Sequence, residues 1–151
     1  MTNPQRPALD GLRTIKFAVA DCARSLAFYE RVFGAERFAA ADHKDAQGNI
    51  YAYVCRVEGL GTLDLRLLPD HALAAQRFDP ITVFVTDKAA LDGWAAFLEG
   101  LGDVNHSGVF ATGLSWAVAV EDPDGRIIKL FSRQGHGPEV PADKDNPWMK
   151  N

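Results

Sequence analysis

The chain has 151 residues, 47% of them hydrophobic and 24% charged, an ordinary globular composition with enough length for one substantial core. Sixteen basic against twenty acidic residues give a formal charge of -4. That balance excludes a broad electrostatic footprint for duplex nucleic acid or an anionic membrane and leaves a small-molecule partner as the expectation. The opening MTNPQRPALDGLR has no apolar h-region, and no segment approaches the roughly 18 uninterrupted apolar residues of a membrane span. A soluble, unexported, cytoplasmic protein is therefore expected. Cys22 and Cys55 form no CxxC pair and fit reduced thiols, small and buried, better than a disulfide framework.

Residues 12–19 (LRTIKFAV) place Ile15, Phe17 and Val19 on one face of a strand and Thr14, Lys16 and Ala18 on the other. Asp21 then suits a helix N-cap. Leu26, Tyr29, Val32 and Phe33 follow at helical spacing, and Gly34 suits the C′ position. Residues 36–42 read as a strand, the run Asp45–Asn49 as a turn, and Ile50–Val57 and Thr62–Leu68 as two further strands. The order is β-α-β-β-β.

The second half repeats it. Ile15-x-x-x-Val19-x-Asp21 recurs as Ile81-x-x-x-Val85-x-Asp87, followed by Leu91, Trp94, Leu98 and Leu101 at helical spacing and by Gly102 in the place of Gly34. Residues 103–110, the run SWAVAV from Ser115, a tight turn at Asp122–Gly125 and a strand over Arg126–Ser132 complete the second unit. The chain thus reads as a single domain with module one at about 12–68, a linker at 69–79 carrying a short helical turn near Ala72–Gln76, and module two at about 80–132. The tail, 133–151, is rich in Pro, Gly and charge and is expected to be extended unless Trp148 and Met149 dock.

Paired β-α-β-β-β modules with an Asp opening each helix, the run Ser25-Leu26-Ala27-Phe28-Tyr29, the pair Phe33-Gly34 and a late Glu121-Asp122-Pro123-Asp124-Gly125 resemble the vicinal oxygen chelate superfamily. That superfamily includes glyoxalase I, bleomycin-resistance proteins and extradiol dioxygenases. The resemblance implies an α+β fold in which the two modules form a curved, incompletely closed, eight-stranded mixed sheet with the helices on its outer face and a ligand cleft inside. It also implies a tendency to homodimerise. In such a cup, strand parity sends Ile15, Phe17, Val19, Leu63, Leu65, Leu67, Ile81, Val83, Val85, Ile128 and Leu130 toward the helices. Thr14, Lys16, Thr62, Asp64, Arg66, Thr82, Phe84, Ile127, Lys129 and Phe131 are left to face the cleft.

Metal-using members of the superfamily carry a His at the start of the first strand, a carboxylate or His on the fourth, a His at the start of the fifth and a Glu on the last. By motif these positions are Thr14, Asp64, Pro80 and Lys129 here. Only Asp64 is a metal donor, and Lys129 sets a positive charge where the cation belongs, so neither metal nor other cofactor is expected. His43, His71, His106 and His136 read as surface residues without H-x-x-x-H pairing.

The replacement directs attention to side chains. An ammonium from Lys129 near the old metal position is expected to pair with Asp64, with Lys16 and Arg66 close by, favouring an acidic or carbonyl-bearing ligand. The ligand-binding candidates are Lys16, Arg66, Thr14, Thr82, Phe84, Trp116, Phe131, Tyr51 and Tyr53, the aromatic members offering stacking surfaces. Tyr51 and Tyr53 are expected on one face of their strand. Three functions remain open: a metal-independent binding protein of the drug-resistance type, a metal-independent isomerase, cyclase or lyase with Lys129 and Asp64 as its acid–base pair, and a metalloenzyme with unusual ligands.

Overall fold

A computed structural model describes residues 4–149; expectations for residues 1–3, 150 and 151 lie outside it. Module one runs β1 (Thr14–Val19), α1 (Cys22–Phe33), β2 (Glu36–Arg37), a 3-10 turn at Ala39–Ala41, β3 (His43–Lys44), β4 (Ile50–Val57) and β5 (Gly61–Leu67). After α2 (Pro69–Ala74), module two runs β6 (Ile81–Val85), α3 (Lys88–Leu101), β7 (His106–Ala111), β8 (Ser115–Glu121) and β9 (Ile127–Gly135). Backbone pairing gives a five-stranded sheet, β1-β5-β4-β2 with β3 also on β4, and a four-stranded sheet, β6-β9-β8-β7. Each mixes one parallel pair, β1 with β5 and β6 with β9, with antiparallel neighbours. The architecture is the unclosed α+β one of paired modules, its hydrogen bonding divided between two sheets.

The repeat in the sequence becomes a repeat of caps. Asp21 accepts a hydrogen bond from Arg24 N at 2.9 Å and Asp87 one from Ala90 N at 2.8 Å, each satisfying an amide at a helix start. Gly34 (φ 66) and Gly102 (φ 80) end the two helices in the left-handed conformation that a side chain disfavours. Local chemistry also explains where the sequence reading shifts. The strand expected over 36–42 shrinks to two residues because Ala39–Ala41 coil into the 3-10 turn, three residues with little preference for strand. The linker helix begins earlier than expected, at Pro69, whose fixed φ suits the first helical position. The last strand runs three residues past Ser132.

Helices α1 and α3 pack on the apolar faces of the sheets. Phe17, Val19, Leu63 and Leu65 pack with Tyr29 of α1, and Ile128 of β9 joins them. Leu91 and Leu98 of α3 meet Val118, Val120 and Leu130, together with Val32 of α1. Helix α1 therefore touches the apolar faces of both modules, and a fully buried Leu there contributes roughly 1.5–3 kcal/mol.

A polar clasp joins the modules at the turn before β9. Asp122 Oδ2 accepts from Tyr29 Oη at 2.7 Å and from Arg126 Nη1 at 2.6 Å, and Asp122 Oδ1 accepts from the amides of Asp124 and Arg126. The Arg126 guanidinium also donates to the Ala18 carbonyl and lies 4.5 Å from the Phe17 ring centroid. Asp124 accepts from Ala20 N and from Arg24 at the start of α1. The Asp-Pro-Asp-Gly turn is thus the fastening between β1, α1 and module two. Among the described residues, no helix is long and apolar enough to cross a membrane.

Cys22 and Cys55 are both free thiols, Cys55 fully buried. Burial, reinforced by the negative charges of Glu30 and Asp42, pushes the Cys55 pKa up to about 11 from 9.0. Burial and the adjacent Asp122 carboxylate hold the Tyr29 hydroxyl well above its ordinary 10.0. Both groups prefer the protonated form when folded. Their contribution is complete below pH 9 and is lost as the pH rises through the raised values. Denaturant midpoints should therefore fall steadily between pH 9 and pH 11. Cys55→Ala, though less stable at every pH, should show a shallower alkaline slope.

Candidate functional site

The inner face of the first sheet, away from the helices, is polar. Adjacent parallel strands place Thr14 beside Thr62 and Lys16 beside Asp64, and alternation turns these side chains away from the Phe17–Leu65 core. Asp64 is only 1% exposed, yet its Oδ2 receives Arg66 Nη2 at 3.0 Å and His43 Nε2 lies 3.2 Å from the same atom. Asp64 Oδ1 and Arg66 Nε are buried with no hydrogen-bond partner among the described residues. Native interiors rarely leave such atoms unsatisfied, and each costs about 1–3 kcal/mol.

Aromatic rings frame the carboxylate. The Tyr51 ring stacks on His43, centroids 5.8 Å apart, and the Arg66 guanidinium lies 5.5 Å from the Tyr51 centroid. Lys16 is exposed and takes part in no ion pair among the described residues. The cluster thus offers two cationic side chains and a half-open aromatic face around one buried carboxylate.

Several expectations are corrected. Lys129 does not pair with Asp64: it is 5% exposed and its Nζ is 3.0 Å from Asp79 Oδ2, because the linker folds back over the inner face of β9. Asp79 neutralises that ammonium and Asp64 the Arg66 guanidinium, so the cationic excess rests on Lys16. Tyr51 and Tyr53 do not share a face. The β3–β4 pairing jumps from His43–Ala52 to Lys44–Ile50, so Tyr51 is the extra residue of a bulge and escapes strict alternation. Tyr53 instead packs against the helix-side core, under the Arg37 guanidinium at 3.7 Å. Trp116 also belongs to the helix side, against the α3 core with its ring 5.0 Å from His136.

Of the other candidates, Thr82 and Phe84 lie on the inner face of β6, opposite Lys129 and Phe131 of β9. Phe84 is 58% exposed and the Arg133 guanidinium stands 4.1 Å from its ring. The apolar inner face of module two, Phe110, Ala117, Ala119 and Ile127 with Phe131, is covered by Trp148 and Met149 of the tail. The tail docks. Three residues of this region were missed from sequence. The hairpin turn at Asp45–Asn49 brings His43 alongside Ala52; counting back from the turn places His43 near this strand but opposite Tyr51, and the bulge shifts it by one. Arg133 lies just past Ser132, where the strand was expected to end three residues before it does, and no local signal marks Asp79.

The positions that hold metal in the superfamily do not make a donor set here. Thr14 is a weak donor, Pro80 has none, Lys129 is a paired cation, and Asp64 is committed to Arg66 and His43. Among the described residues no group of three or more His, Cys, Asp or Glu side chains is placed to hold a metal ion.

The comparisons agree with the module pattern. The model of the Glyoxalase/Bleomycin resistance protein/Dioxygenase superfamily matches residues 11–130. The chain belongs to this superfamily. Among solved structures, a glyoxylase/bleomycin resistance protein/dioxygenase domain from Frankia sp. EAN1pec superposes with a TM-score of 0.65 at 15% identity, over 84% of this chain and 100% of that one. TnmS3, an antibiotic binding protein from Streptomyces sp. CB03234, gives 0.65 at 21% identity, over 85% and 100%. The fosfomycin resistance protein FosX from Listeria monocytogenes gives 0.60 at 17%, over 84% and 96%. At these identities the superfamily's fold is what is shared. No curated protein sequence matches.

Proposed function

We propose that this superfamily member is a metal-independent small-molecule-binding protein of the glyoxalase/bleomycin-resistance type, holding an aromatic or acidic ligand against the inner faces of its sheets. The observation that carries this reading is the Asp64 cluster. At the superfamily's metal position stands a buried carboxylate tied to Arg66 and His43, with the exposed Lys16 beside it. A cation would meet Arg66 and Lys16 there, whereas an anionic or carbonyl group meets two donors and a tyrosine face. That one structural neighbour is an antibiotic binding protein supports a small-molecule-binding role. The formal charge of -4 argues for a small molecule over nucleic acid. Free Cys22 and Cys55 support a reducing, cytoplasmic setting. The exposed Phe38, Leu73, Phe78 and Phe97 supply apolar surface for a second copy in a homodimer.

The test is a thermal-shift screen of aromatic carboxylates on chelator-treated protein. A bound acid at about one hundred times its Kd should stabilise the fold by about 2.7 kcal/mol, and the product should be unchanged ligand. If no aromatic or acidic compound raises Tm, the reading fails.

A second reading, a metal-independent isomerase, cyclase or lyase, is favoured by one distance, the 3.2 Å between His43 Nε2 and Asp64 Oδ2. A half-exposed imidazole oriented by a buried carboxylate is a proton-transfer arrangement. In this reading His43 replaces Lys129 as the partner of Asp64. Conversion of a bound ligand, lost in His43→Gln, distinguishes it from binding alone.

A further inference from the structure

We infer that the inner face of module two is a second ligand-contacting hollow, specific for a planar aromatic anion and occupied in the free protein by the chain's own tail. This face is made by Phe110, Ala117, Ala119 and Ile127, with Phe131 packed beside them. The occupant shows what the hollow accepts. Trp148 and Met149, one flat aromatic ring and one flexible thioether, pack into it.

The tail is held mainly by a few backbone and turn bonds. Asp143 N donates to the Ala111 carbonyl at 3.0 Å, His136 N to the Leu114 carbonyl at 3.0 Å, and the His136 ring Nε2 lies 2.9 Å from the Thr112 carbonyl, whereas Trp148 N donates only within the tail, to Asn146 Oδ1 at 2.9 Å. Trp148 and Met149 remain half-exposed. Segments of this kind lie at the low-stability end of a structure, so exchange with an external ligand requires no opening of the core.

Charge selects the ligand. An open hollow of about 590 Å³, lined by Phe84, Phe131, Leu114 and Arg133 among others, shares Phe131 with the tail's seat. Arg133 is exposed, its guanidinium 4.1 Å from the Phe84 ring centroid, and it makes no ion pair among the described residues. An aromatic ring in the place of Trp148 with its acid group toward Arg133 therefore fills both parts. The tail competes for the ring's position and lowers the apparent affinity by the fraction of molecules in which it is undocked.

This inference rests on the binding reading above but on different residues, so the two fail separately. The probe is 1-anilinonaphthalene-8-sulfonate, an aromatic anion whose fluorescence reports burial, titrated into the full chain, Trp148→Ala and Trp148→Ala/Arg133→Gln. Near-ultraviolet circular dichroism checks that each variant keeps its packed core. The affinity of Trp148→Ala should exceed that of the full chain about tenfold, as for a tail docked in about nine molecules of ten. Adding Arg133→Gln should reverse most of the gain. Saturating probe should also speed tryptic cleavage after the exposed Lys144 in the full chain. Equal affinity in the full chain and Trp148→Ala, or a gain insensitive to Arg133→Gln, overturns the inference. Aromatic acids whose binding depends on Arg66 alone would leave the binding reading intact while removing this one.

Discussion

Asp122→Ala is expected to lower unfolding stability by about 3–5 kcal/mol, the usual result of removing one partner of a buried ion pair. Asp122 is the acceptor for Tyr29 Oη, Arg126 Nη1 and two backbone amides, and both it and Arg126 are nearly inaccessible to solvent. The substitution leaves the Arg126 guanidinium buried with, among the described residues, the Ala18 carbonyl as its remaining acceptor, and it frees the Tyr29 hydroxyl inside the core. Tyr29→Phe removes a single neutral donor and should cost only about 0.5–1.5 kcal/mol. The ranking is checked by urea denaturation of the two variants. Equal losses would mean that Tyr29 and not the ion pair fastens the modules.

Arg66→Met should reduce stability by about 2–3 kcal/mol, less than the Asp122 substitution because the Arg66 side chain is partly solvated and His43 still faces Asp64. Adding Asp64→Asn should recover most of that loss, since the double variant contains neither the buried charge nor its partner. A double-mutant cycle measures the coupling. Binding should behave differently. Affinity for an aromatic acid should fall at least tenfold, or about 1.4 kcal/mol, in Arg66→Met and stay low in the double variant, which has regained stability but not the guanidinium. If binding recovers together with stability, Arg66 acts only as a structural partner of Asp64.

Much of the fold was legible because the signals are local and repeated. The recurrence of Ile15-Val19-Asp21 at Ile81-Val85-Asp87 marks two strands that feed two capped helices, and both caps form as the Asp spacing requires. Parity at β1, β5, β6 and β9 is also readable, because one face of each meets the helices and the other carries Lys16, Asp64, Thr82 or Lys129. The misplacements have physical causes. One extra residue in β4 rotates Tyr51 out of the alternation that Tyr53 keeps. The SWAVAV run has no alternation to read because both faces of β8 are buried, one by α3 and the other by the tail. The side of Trp116 is therefore not readable from the sequence, and the structure puts it with the α3 core.

The pairing of Lys129 was beyond local reading for another reason. Its partner Asp79 comes from a linker whose path is set by tertiary packing, where Arg77 N donates to the Gly125 carbonyl and Ile127 N to the Phe78 carbonyl. Asp64 faces inward as parity implies, and its companions there are Arg66 and His43.

The most direct test of metal-independent binding is isothermal titration of the best aromatic carboxylate into protein before and after exhaustive chelation, with elemental analysis of both samples. Metal-independent binding gives a Kd unchanged to within about twofold and no stoichiometric transition metal in either sample. A Kd that weakens by more than roughly tenfold on chelation and is restored by Zn, Ni, Fe or Mn would contradict it and place a metal among these residues.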